Sequence, residues 1–127
     1  MNILAPISLG ELLDKISILK IKLVEITDSD KIKNIQTELN SLVEILNQNA
    51  SGDELSGFIN QLYEINYKIW HCEDRIRECE RQKDFGQQFV TTAREIYKYN
   101  DQRSIVKRTV NIRKGSVIVE EKSYKDY

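Results

Sequence analysis

A chain of 127 residues, 31% charged and 40% hydrophobic, is one domain of ordinary size and can bury a core without disulfides or metals. Five Gly and one Pro favour long uninterrupted elements over a turn-rich β fold, and a net charge of -1 excludes a global pull toward nucleic acid or membrane. Charge is uneven all the same: residues 103–127 carry seven Lys/Arg against three Asp/Glu, and the rest carries twelve against seventeen.

The first predicted helix covers residues 8–27. Ser8 and Glu11 have capping-box spacing, and Leu12, Ile16, Leu19, Leu23 and Ile26 recur at steps of four and three. Asp28-Ser29-Asp30 ends it and caps a second helix over residues 30–48, with Ile32, Ile35, Leu39, Leu42 and Leu46 on one face. "NQNASGDE" reads as a loop.

A third helix is expected over residues 53–83. Leu55, Phe58, Leu62, Ile65, Ile69, Cys72, Ile76 and Cys79 fill eight successive heptad core positions. The fourth, over residues 85–113 with Asp84 as its N-cap, has clear apolar positions only at Phe89, Ala93, Ile96 and Val110. Together they predict a long central antiparallel hairpin. The fold class is therefore an all-α bundle of about four helices in a single domain, residues 1–127. After Gly115 the period disappears. "SVIVEEKSY" reads as an extended segment, as do Ile3, Leu4 and Ile7, and a short β ribbon joining the two termini is an option, with Pro6 on an edge.

Two Cys are too few for a disulfide scaffold, which makes a reducing cytoplasm the default expectation. Cys72 and Cys79 lie about 10.5 Å apart along one helix, too far for a disulfide or a shared zinc, so their reading is core. His71 has no second His to join it, and Glu73, Asp74, Glu78 and Glu80 have no matching acidic pair on the next helix. No metal site or cofactor motif is expected. "MNILAPISLGELL" lacks the basic start of a signal peptide, and no apolar run approaches a membrane span.

The polar residues at core spacing carry more. Beside the main seam of the third helix runs a second one, Ile59, Tyr63, Asn66, Trp70, Glu73, Arg77, apolar first and then polar. The fourth helix does the same: Phe89, Ala93, Ile96, then Asn100, Arg103, Lys107. In an antiparallel hairpin Asn66 and Trp70 face the level of Tyr97 to Arg103. The simplest account is a hydrogen-bond network that fixes helix register. The sharper one is a pocket for a small anionic ligand, formed by Asn66, Trp70, Glu73, Arg77, Asn100, Arg103 and Lys107, in which Glu73 pairs with Arg77 and leaves a surplus of cations. In "RSIVKRTVNIRKG" the wheel places Arg103, Lys107, Arg108, Lys114, Ser104 and Asn111 on one side and Ile105, Val106, Val110 and Ile112 on the other, an amphipathic helix with a solvated basic face. No nucleic-acid motif surrounds it.

"ISLGELLDKISILKIK", "IWHCEDRIRECERQKDFGQQFV", "YNDQRSIVKRTVN" and "GSVIVEEKSY" together resemble a small bacterial family of helical proteins catalogued as a domain of unknown function. The resemblance spans nearly the whole chain and implies a helical protein, with no activity to carry over. It draws attention to Ser8, Glu11, Asp14 and Lys15, to Trp70, Glu73, Asp74 and Arg77, and to Asn100, Asp101, Arg103 and Lys107. The leading functional expectation is a helical oligomerising or partner-binding module, a homodimer. The rival is a ligand-binding protein or enzyme for an anionic small molecule.

Overall fold

The structure, a computed structural model, describes all of residues 1–127. It contains four helices and nothing else regular: α1 (Leu9–Glu25), α2 (Ser29–Asn49), α3 (Glu54–Arg81) and α4 (Gln87–Arg113). None is long and apolar enough to cross a membrane. α1 sits in the middle and packs on the other three, whereas α2 approaches α1 alone. α3 and α4 form the antiparallel hairpin, as the pairs Phe58–Arg113, Asn66–Arg103 and Arg75–Glu95 establish.

Local chemistry explains the helix ends. The Glu11 amide donates to Ser8 Oγ at 3.1 Å, which is half of the expected capping box. The other half is missing because the Glu11 carboxylate is taken by Lys107. The Lys31 amide donates to Asp28 Oδ1 at the start of α2. α4 begins after Gly86 with no side-chain cap; Asp84, the expected N-cap, instead accepts from the Gly86 amide. α4 ends in a Schellman motif. The Ser116 amide donates to Asn111 O at 2.8 Å and the Gly115 amide to Ile112 O at 3.3 Å, with Gly115 at φ 66. That reversal sends the C-terminal tail back along α4.

The core is a single cluster of 12 buried apolar side chains from all four helices, among them Leu13, Ile16, Ile35, Leu39, Leu62 and Val110. Burial of such side chains contributes roughly 1.5–3 kcal/mol each before entropy is subtracted. Cys72 and Cys79 are buried and free, as their register requires.

Two expectations need correction. No β ribbon joins the termini. Residues 1–4 lie beside α2, the tail runs beside α4, and α2 and α4 do not touch, so the two ends have no common edge to pair along. The basic stretch of α4 is also only half as expected: Val110 is buried and Val106 packs on the core, but Lys107 and Asn111 are buried beside them, while Ile105 is 67% and Ile112 62% exposed. Hydropathy alone would bury Ile105 and Ile112 with the two valines; the partners that α1 and the tail supply to Lys107 rotate the inward face toward Lys107 and Asn111 instead.

Candidate functional site

A buried polar chain connects α1, α3 and α4. Asn66, on the second seam of α3, is 4% exposed. Its Nδ2 donates to Asp14 Oδ1 at 2.8 Å and to Ser17 Oγ at 2.9 Å. Its Oδ1 accepts from Arg103 Nη1 at 3.1 Å. The orientation of this amide is fixed, since a carboxylate can only accept and a guanidinium can only donate. Arg103 is steadied by a second bond to Asn100 Oδ1.

The same chain continues to Lys107, 8% exposed. Its Nζ donates to Glu11 Oε2 at 2.7 Å and to Glu120 Oε2 at 2.9 Å, and lies 4.0 Å from Asp14 Oδ2. Burial alone would drive its pKa down. The bonds from Glu11 and Glu120 and the field of Asp14 outweigh that, and the pKa is raised. The Lys107 bond in turn holds the Glu120 carboxyl below the usual range.

Packing at this crossing depends on Gly10. A Cβ there would stand 2.5 Å from Lys107 O and 2.9 Å from Asn111 Oδ1. The Gly10 amide donates to that same Asn111 Oδ1 at 2.7 Å, so α1 and α4 meet backbone to side chain with no room between.

The polar chain opens onto a cleft of about 310 Å³ lined by Ile18, Ile21, Asn66, Ile69, Trp70, Glu73, Asp74, Arg77 and Arg103. Five of the seven expected pocket residues therefore share one cleft. Asn100 stands behind Arg103 and positions it. Lys107 does not belong: α1 and the tail hold it elsewhere. Arg77 and Glu73 pair at 3.2 Å along α3, with Arg77 76% exposed, and neither bonds α4. A register-fixing network would run through this pair to Asn100 or Arg103; those two bond Asn66 and each other instead. The cation surplus also disappears. Without Lys107 and with Asp74, the cleft has two cations and two acids.

Sequence reasoning passed over Gly10 and Ser17, placed Asn111 on a solvated face and Glu11 in a capping box alone, and gave Asp14 and Glu120 no partner. Helical spacing carried part of the signal. Asp14 and Ser17 are one turn apart on the face that holds Leu13, and an acid in that position requires a buried partner.

No group of three or more His, Cys, Asp or Glu is arranged to hold a metal ion. Cys72 is no better placed for chemistry: burial and a hydrogen bond to Glu95 at 3.3 Å raise its thiol pKa and keep it protonated. Among known proteins, the sequence model of one family, "Family of unknown function (DUF6165)", matches residues 3–127. No curated protein and no solved structure matches the chain. The chain belongs to DUF6165.

Proposed function

Starting from that membership, we propose that the protein binds a small molecule bearing one carboxylate or phosphate group in the Trp70–Arg103 cleft. The observation that carries this reading is the state of Arg103. Its guanidinium is held in place by two neutral acceptors, Asn66 and Asn100, and forms no ion pair. A guanidinium has five N–H donors in a rigid fork suited to a planar or tetrahedral oxyanion. Only two of these bonds are made inside the protein. Arg103 is thus pre-positioned, partly desolvated and incompletely used beside a concave wall of Trp70, Ile18, Ile21 and Ile69. Glu73 and Asp74 at the same cleft repel high negative charge, which favours a monoanionic group with an apolar portion over a polyphosphate.

Trp70 is the only tryptophan, so its fluorescence reports on the cleft directly. Titration with small carboxylates and monophosphates is expected to give a saturable change in the wild type and a much weaker one in Arg103→Lys, which keeps the charge and loses the fork. No saturable response from any of them removes the reading.

A second reading, self-association into a homodimer, is favoured by one observation. Val90, Tyr97, Ile105 and Ile112 form an exposed apolar row along α4 at steps of seven and eight. Light scattering at high micromolar concentration checks it: monomer mass there refutes it, and dimer mass that reverts to monomer in Ile105→Lys supports it.

A further inference from the structure

α4 carries a second site, on the side of the helix where the tail lies. Asn111 is 1% exposed, and its Nδ2 is the one buried side-chain polar atom in the molecule without a hydrogen-bond partner. Buried amide groups are nearly always paired, because their desolvation is otherwise uncompensated. Turning the amide over does not help. Its Oδ1 accepts from the Gly10 amide at 2.7 Å, and an NH₂ group cannot do that. The group Asn111 has left to offer is therefore a donor.

Asn111 lines a cavity of about 230 Å³ between α4 and the tail, together with Ser104, Lys107, Arg108, Glu120 and Lys122. Its cations on the α4 side are the Lys107 ammonium and the Arg108 guanidinium, and Asn111 lines the same wall with its orphan Nδ2 shut off from solvent while the tail is docked. Its acids come from the tail alone. Glu120 accepts from Lys107 at 2.9 Å and Glu121 from Arg108 at 2.8 Å. Past Ser116 the tail makes no backbone hydrogen bond to the helices. It is held by these two ion pairs and by Tyr127, which meets Tyr97 edge-on at 5.4 Å and has its hydroxyl beside the Asp101 carboxylate.

We propose that this cavity is an oxyanion site for a phosphate group, and that Glu120 and Glu121 occupy its cationic positions as a built-in substitute when no phosphate is bound. The charge arithmetic favours phosphate over a single carboxylate. Glu11 and Asp14 face Lys107 from α1 whether or not the tail is docked, so the exchange concerns the tail's share alone: two carboxylates, one on Lys107 and one on Arg108, against a phosphate monoester or inorganic phosphate that carries about -1.5 to -2 at neutral pH. One phosphate can replace both carboxylates charge for charge, whereas a single carboxylate replaces only one of them. It also supplies what the tail does not: an acceptor for Asn111 Nδ2. The Lys107 bond to Glu11 is unaffected by the exchange, so α1 stays in place while the tail is released. This site is separate from the Arg103 cleft and does not depend on it.

Inorganic phosphate is the probe. Side-chain amide resonances of ¹⁵N-labelled full-length protein are followed during the titration, with acetate as the carboxylate control. The expected result is a saturable shift of the Asn111 NH₂ pair with phosphate and little with acetate, and a loss of the Tyr127–Tyr97 contact in step with it. Glu120→Gln with Glu121→Gln removes the substitute and is expected to tighten phosphate binding about tenfold. Asn111→Asp keeps the acceptor that Gly10 needs, removes the donor and adds repulsion, so the chain folds and phosphate binding is lost. An Asn111 amide that phosphate does not move, weaker binding in the double Gln variant, or undiminished binding in Asn111→Asp overturns the proposal.

Discussion

At the closed end of the α3–α4 hairpin, Glu73 pairs with Arg77, Glu78 with Arg81 and Glu80 with Lys83, each within four residues on one helix or its final turn. Toward the open end, Lys107 pairs with Glu11, 96 residues away, and with Glu120 in the tail. Both regions are built from the same acids and bases. They differ in burial and in the distance along the chain between partners. At the closed end each charge keeps most of its water, its attraction is screened, and breaking a pair leaves nothing stranded. Around Lys107 the charges have left water behind, and each is tolerable only while the others are present. The first set solubilises a helix end; the second determines where three segments meet.

That contrast is sharpest at Lys107 itself. Lys107→Ala leaves the buried Asp14 with no cation and Glu11 with only the half-exposed Lys15 at 3.7 Å, and the expected loss is about 3–5 kcal/mol. Urea denaturation measures it, and a loss under about 1 kcal/mol would mean that water enters and the two regions are alike after all. Gly10→Ala tests the same crossing without touching a charge. Helix propensity alone predicts a gain of about 0.5–1 kcal/mol. The close approach to Lys107 O predicts the opposite sign, a loss of about 1–3 kcal/mol from overpacking. The sign of the shift in thermal midpoint decides between them.

A smaller effect is expected from pH. The Glu120 carboxyl is held below its usual range by Lys107, so its contribution to tail docking is complete above the ordinary carboxylate pKa and is lost as pH falls through the lowered value. Lys107 has a raised pKa, so its side of the contact persists through neutral pH and fails only in strong alkali. Tyr127 resonances should thus hold steady through neutral and mildly acidic pH and move to undocked positions below the usual carboxylate range. Movement already at neutral pH would show that the tail is held by something other than this pair. The smallest effect belongs to the closed end: Glu73→Ala is expected to cost no more than about half a kcal/mol in the same denaturation experiment.

The apolar seams of α1, α2 and α3 were legible in the sequence because their burial follows hydropathy, and hydropathy recurs at helical spacing. The level of Asn66 against Arg103 was legible too, since an antiparallel hairpin with a short turn has little freedom of register. The second half of α4 was not. Its pattern offered Ile105, Val106, Val110 and Ile112 as the inward face; Val106 and Val110 do pack inward, and nothing local contradicts the same choice for Ile105 and Ile112. What reverses it is the set of partners for Lys107 and Asn111, which lie on α1 and in the tail. A helical wheel compares neighbours on one helix and carries no information about them. The candidate pocket failed at Lys107 for the same reason, and its charge balance failed with it. Gly10 was visible in the first turn of α1, but a glycine required by close approach looks the same in a sequence as one that is merely tolerated.

The bond from the Gly10 amide to Asn111 spans 101 positions of the chain. The first turn of α1, and the acid that follows it, find their partners only in the last turns of α4. A ribosome delivers residues in order at about 5–20 per second, so α1 and α2 spend several seconds outside the tunnel before the helix that completes them exists. Their apolar faces can pair with each other in that interval and Asn66 arrives with α3, but Glu11 and Asp14 have no Lys107 to meet. The crossing of α1 and α4 is therefore the part of the bundle that chain order leaves to the end, since its partners on α4 are among the last residues made.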